Sequence, residues 1–170
     1  MQLEILSQSD SNTLNGLIQA ANNIVICCHK SPDGDAIGSS LAWAEYLRQV
    51  GKEPLIIVPD AFPDFLKWLP GVEKVMRYDK HTAVCKERIA EADLIFCLDF
   101  NATNRVDDMQ QALETTTAQR VVFDHHLNPQ MDARLMVSLP QMSSTCEIVF
   151  RIVWQLGGFE MFSRQAAIAV

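Results

Sequence analysis

A chain of 170 residues, 48% apolar and 21% charged, has the length and composition of one soluble domain with a filled core. Its net charge of −7 excludes a basic face that grips long nucleic acid by charge alone, while bound divalent cations would still admit short phosphorylated ligands. The 5 cysteines are odd in number and contain no C-x-x-C pair, which predicts reduced, buried thiols in a cytosolic protein. The start, Met1-Gln2-Leu3-Glu4, lacks a signal-peptide pattern, and no apolar run approaches the ~20 residues that span a bilayer, so a cytoplasmic chain without a membrane partner is expected.

Residues 4–22 read as a helix with Ile5, Leu14, Leu17, Ile18 and Ala21 as its apolar positions and Ser11, Asn12 or Thr13 as cap. Ile24 to Cys28 is a continuous apolar run of strand length, the mark of a strand buried on both faces. A polar turn follows, then a helix from Ile37 to Val50 that Gly51 stops. Glu53 to Val58 is a second strand, and Phe62 to Leu69 a short helix ended by Pro70-Gly71. Lys74 to Arg77 reads as a short strand, and Lys80 to Glu91 as a helix with Val84 and Ile89 inward. Leu94 to Leu98 is another apolar strand, closed by Asp99, and Arg105 to Thr115 a helix after a polar turn. Arg120 to Phe123 is a strand ending in Asp124-His125-His126, and Met136-Val137 a short edge strand. Cys146 to Leu156 is a helix capped from Ser143, Ser144 or Thr145 and broken at Gly157-Gly158; Ser163 to Val170 begins another. Strands alternating with helices at this spacing predict an α/β domain with a doubly wound, mainly parallel sheet and no internal boundary.

Three strand ends carry metal-ligand chemistry. The first leads into His29, Asp33 and Asp35, the fourth ends in Asp99, and the fifth in Asp124-His125-His126. In a parallel sheet such ends share one edge and open on one crevice. Each piece has a bland reading: an Asp after a strand caps helices and turns, Asp-Gly-Asp is turn chemistry, and paired histidines are common on surfaces. Their coincidence on three strand ends favours a cluster. Carboxylates so close raise one another's pKa unless a cation joins them. A two-metal site about 3.5–4 Å across resolves this, with Asp99 bridging, and supplies an activated hydroxide for attack on a phosphoryl group. Asp124 is expected to orient the neighbouring His125, leaving His126 for the phosphate or the leaving group.

The run His29-x-x-Pro32-Asp33-Gly34-Asp35-Ala36-Ile37-Gly38-Ser39, then Asp99, then Asp124-His125-His126, resembles the DHH phosphoesterases. Within the family the Asp99…Arg105 turn and Ser143-Ser144-Thr145-Cys146-Glu147 are most similar to the NrnA type, bifunctional oligoribonucleases and phosphoadenosine phosphatases. The resemblance implies two ions, usually Mn²⁺ with Mg²⁺ as alternative. His29 and Asp33 would hold one, Asp35 and His125 the other, with Asp99 between them, His126 facing substrate and Arg105 contacting phosphate or fixing the metal turn. It implies short single-stranded RNA oligonucleotides or 3′-phosphoadenosine 5′-phosphate as substrates, with (cyclic) dinucleotides or a non-catalytic nucleotide-binding role as alternatives. A homodimer is expected of the full-length protein. The family's fourth motif and its C-terminal substrate-binding domain are not found before Val170, so 1–170 is expected to be the DHH domain of a longer protein, with weakened metal binding and little activity by itself.

Overall fold

A computed structural model describes residues 4–158 and 163–170. Met1 to Leu3, part of the start that lacks a signal-peptide pattern, lie outside the described residues. Six parallel strands form one sheet: β1 (Ile24–Cys28), β2 (Leu55–Val58), β3 (Met76–Arg77), β4 (Leu94–Leu98), β5 (Gln119–Asp124) and β6 (Leu135–Ser138). Their order is β3-β2-β1-β4-β5-β6. The expected parallel α/β architecture is thus observed.

The chain runs outward from β1 to β3, returns to the middle, and runs outward again from β4 to β6. The direction reverses between β1 and β4, which pair in register from Ile24↔Leu94 to Cys28↔Leu98. Open parallel sheets bind ligands at the carboxyl ends beside such a reversal. All five residues of β1 and all five of β4 are buried, as continuous apolar runs require.

Alternate residues of each strand feed two cores. Ile24, Ile26 and Cys28 face helices α1 (Gln8–Ala20), α2 (Gly34–Gln49) and α5 (Thr145–Gln155). Val25 and Cys27 face α3 (Thr82–Ala90) and α4 (Gln110–Thr115). Trp43 of α2 anchors the first core, its ring centroid 5.1 Å from those of Phe96 and Phe123 in edge-on contacts. Each such contact adds about 0.5–1.5 kcal/mol beyond area burial. All five cysteines are buried and unbonded, as expected of reduced thiols.

Local expectations fail where side chains compete with periodicity. The first helix begins at Gln8, and its cap is Ser7, whose Oγ accepts the Asp10 N–H at 3.1 Å. Ile5 and Leu6 precede it and donate their N–H groups to Gln155 Oε1. Val84 is 44% exposed, because Cys85 and Ile89, four apart, take the inner face of α3. The helix expected from Arg105 is a 3-10 segment, Thr103–Met109, interrupted at Asp107 (φ 50°); α4 starts only at Gln110. Val106 and Met109, both fully buried, hold that segment to the core three residues apart, the 3-10 period. A short α6 (Arg164–Ala169) packs on α2.

Candidate metal centre

The exits of β1, β4 and β5 bring the expected residues together. His29 leaves β1 with its Nδ1 2.7 Å from the carbonyl oxygen of Lys30, to which an Nδ1–H donates. In the neutral ring Nε2 keeps the lone pair, free for an ion; in the imidazolium it donates to Asp99 Oδ2 at 3.4 Å, and Asp33 Oδ1 lies 4.0 Å away. Asp33 caps α2, its Oδ1 accepting the N–H groups of Asp35 and Ala36 at 3.0 Å. His125 repeats the pattern: its Nδ1 lies 3.4 Å from the Met142 carbonyl, and its Nε2 stands 3.5 Å from Asp35 Oδ2 and 3.6 Å from Asp99 Oδ1. Ligating imidazoles are held in this manner, one nitrogen on a backbone carbonyl and the other toward the ion.

Asp99 stands between the two groups with one oxygen toward each. It is 1% exposed and has φ +66°, a left-handed backbone that non-glycine residues seldom adopt. The strain, of order 1–3 kcal/mol, turns the carboxylate across the switch point. Burial raises its pKa, against the opposing pull of the His29 hydrogen bond. The same hydrogen bond raises the pKa of His29.

The donor set fits divalent metal. Ligand bonds of about 2.1 Å put neighbouring donors around one ion roughly 3–3.5 Å apart. The 3.4–3.6 Å separations on both sides of Asp99 approach that, with Asp33 slightly wide. Mixed carboxylate and imidazole donors suit Mn, Fe or Zn better than Ca. His29, Asp33 and Asp99 would hold one ion; Asp35, His125 and Asp99 the other.

One detail departs from the expected roles. Asp124 orients His126, not His125: Asp124 Oδ1 is 2.7 Å from His126 Nδ1, and Oδ2 accepts the His126 N–H at 2.9 Å. Two residues on, the chain has turned back over the end of β5, so the second imidazole, not the first, meets the buried carboxylate. Arg105 is exposed; its carbonyl accepts the Lys30 N–H at 2.8 Å, tying the β4 exit to the β1 exit.

Thr145, which the sequence marks only as a helix opener, joins the centre. Its buried hydroxyl donates to Asp99 Oδ1 at 2.8 Å, and its N–H donates to Asp35 Oδ2 at 2.8 Å. The Cys146 N–H donates to Asp35 Oδ1 at 2.7 Å. Asp35 therefore sits on the amino end of α5, where free N–H groups and the helix dipole favour an anion. A Ser-Ser-Thr run before an apolar helix was the available signal, but its partners lie far away in sequence. The Cys146 thiol is pushed well up by burial and by Asp35. Hollows of 350 Å³ (by Lys86 and Thr115) and 370 Å³ (by Asn22 and Glu53) lie away from the cluster.

A doubly wound parallel sheet with a carboxylate–imidazole cluster at its switch point is the arrangement of a metal-binding α/β domain. Residues 23–169 match the DHH family, N-terminal domain, and the chain belongs to that family. It is 26% identical over 156 residues to the cyclic-di-AMP phosphodiesterase GdpP of Geobacillus thermodenitrificans, covering 84% of this chain and 23% of that protein. A crystal structure of an exopolyphosphatase-related protein from Bacteroides fragilis superposes with a TM-score of 0.95 at 40% identity, over 98% of this chain and 49% of that one. RecJ from Thermus thermophilus, solved in complex with Mn²⁺, shares the fold at TM-score 0.55 and 16% identity, over 99% of this chain and 24% of RecJ. The chain thus spans half or less of these relatives' length. Among the described residues, no helix is long and apolar enough to cross a membrane.

Proposed function

We propose that this domain carries the metal centre of a phosphoesterase that hydrolyses very short RNA oligonucleotides, with 3′-phosphoadenosine 5′-phosphate as a further substrate. The observation that carries this reading is Asp99, one carboxylate set between the Nε2 atoms of His29 and His125 at 3.4 and 3.6 Å. Manganese is the proposed ion, supported by the mixed donor set and by the Mn²⁺ complex of RecJ. When bound, a pair of such ions acidifies water and offsets charge on a phosphoryl group.

The chain's own residues do the remainder. Asp124 holds His126 through Nδ1, which leaves Nε2 to meet a phosphate oxygen or a leaving oxygen. Arg105, exposed on the turn tied to Lys30, supplies a cation for phosphate. Thr145 holds Asp35 and Asp99 in one arrangement, so the ligands need little rearrangement to take up metal.

Replacing Asp99 with Ala in the full-length protein should abolish manganese-dependent cleavage of a dinucleotide; undiminished turnover would overturn the reading. A second reading, hydrolysis of a cyclic dinucleotide, is supported by the likeness to GdpP. Linear and cyclic dinucleotides assayed side by side separate the two.

A further inference from the structure

The segment after β2, which packs against the turn carrying the metal ligands, holds two large aromatic side chains in water. From Pro63 the chain runs in three-residue turns: Leu66 N–H donates to Pro63 O at 3.0 Å, Lys67 N–H to Asp64 O at 3.1 Å and Leu69 N–H to Leu66 O at 3.1 Å. In such turns residues three apart lie on one face. Leu66 and Leu69 accordingly face the core, 7% and 6% exposed, while Phe65 and Trp68 share the outer face at 70% and 68%.

The segment that carries this face is fixed to the site at two points. Leu66 Cδ2 lies 4.0 Å from where a Cβ on Gly34 would stand, and Gly34 separates the ligands Asp33 and Asp35. Asp60, at the head of the segment, accepts the Ser31 N–H at 2.6 Å, within the turn that carries His29 and Asp33. The face itself offers little net charge, since Lys67 is paired with Asp64 at 2.7 Å. It presents flat apolar surface, not an anion grip. Two aromatic rings exposed on one face of an ordered turn do nothing for the core and call for a ligand. The other exposed large apolar residues among those described sit on other elements.

A flat apolar group that arrives joined to a phosphoester is a nucleobase. We propose that Phe65 and Trp68 form a platform on which a base of the substrate stacks while its phosphoester lies at the metal centre. This rests on the reading of the centre as a phosphoesterase site. Base–aromatic stacking is tolerant of sequence and strong enough to select nucleotides over other phosphoesters.

The test compares full-length wild type with the double variant F65A/W68A on a dinucleotide and on its abasic counterpart, with manganese. The double variant should raise KM for the dinucleotide about tenfold or more, leave kcat nearly unchanged, and leave the abasic compound unaffected. The variants F65Y and W68F should retain the wild-type KM. Independently of turnover, dinucleotide should quench the fluorescence of Trp68, a quench absent in W68F, which keeps Trp43 and Trp154. A wild type that cleaves dinucleotide with a KM the double variant does not alter overturns the platform and leaves the phosphoesterase reading standing. A wild type that cleaves nothing but shows the Trp68 quench overturns the reading and keeps the platform; neither cleavage nor quench overturns both, and cleavage without the quench overturns the platform alone. A shift from dimer to monomer in the double variant at unchanged KM assigns the face to a contact between copies and overturns the platform.

Discussion

Thr145 donates its hydroxyl to Asp99 across 2.8 Å in a buried contact, although 46 residues separate them. The same residue's N–H holds Asp35. One residue at the start of α5 thus sets the spacing of two carboxylates from different strand exits.

Thr145→Val keeps the shape and the N–H and removes the hydroxyl. Partners that orient ligands typically account for about 10–100-fold in metal affinity. Calorimetric titration of Mn²⁺ should show a loss in that range for Thr145→Val and near wild-type binding for Thr145→Ser. Equal binding by all three proteins would remove Thr145 from the centre.

Asp124→Asn tests the orientation of His126. The buried carboxylate fixes an Nδ1 proton 2.7 Å away, and an amide can turn its NH₂ toward the ring and favour the other tautomer. Turnover should fall by at least about a hundredfold, the scale of a misplaced acid–base group, with metal affinity little changed. A variant that loses metal but keeps turnover per bound ion would return Asp124 to His125.

Gly38→Ala should destabilise the fold although it improves helix propensity. Alanine gains about 1 kcal/mol over glycine inside a helix. Here the added methyl would run into the Ala169 carbonyl oxygen and lie 3.1 Å from Cys146 Sγ. Overpacking against backbone costs about 1–3 kcal/mol, which outweighs the gain. The urea midpoint should drop; a rise would show that α6 moves aside freely.

Glu147 gives stability a pH dependence of known sign. Hydrogen bonds from the Ser143 hydroxyl and N–H, and then from Arg151, lower its pKa from the ordinary 4.5 to about 2. Its contribution is therefore complete above 4.5 and fades as pH falls toward 2. In metal-free protein, Glu147→Gln should be less stable than wild type at pH 7, and the gap should close between pH 4.5 and 2. A gap that widens on acidification would contradict the assignment.

The strand exits were legible in the sequence because each ligand follows a continuous apolar run, and a parallel sheet leaves little choice about where such residues go. His29, Asp33, Asp35, Asp99 and His125 meet as expected for that reason. What escaped depended on contacts with no local pattern. Thr145 reaches Asp35 from 110 positions away. Asp124 selected His126 through a backbone turn that spacing alone does not reveal. The 3-10 segment after Asp99 escaped because Val106 and Met109 fit a 3-residue period within a stretch that also suits an α-helix.

Asp99 answers two demands at one position. Its carboxylate must face both sides of the cluster, and its backbone must rest at φ +66°. Asn and Asp tolerate that region better than other residues with a side chain. Alanine there removes the bridge and also pushes the β4 exit toward another conformation. Asparagine keeps the backbone and removes only the charge, so the difference between the two variants separates the cost of the turn from the chemistry of the bridge.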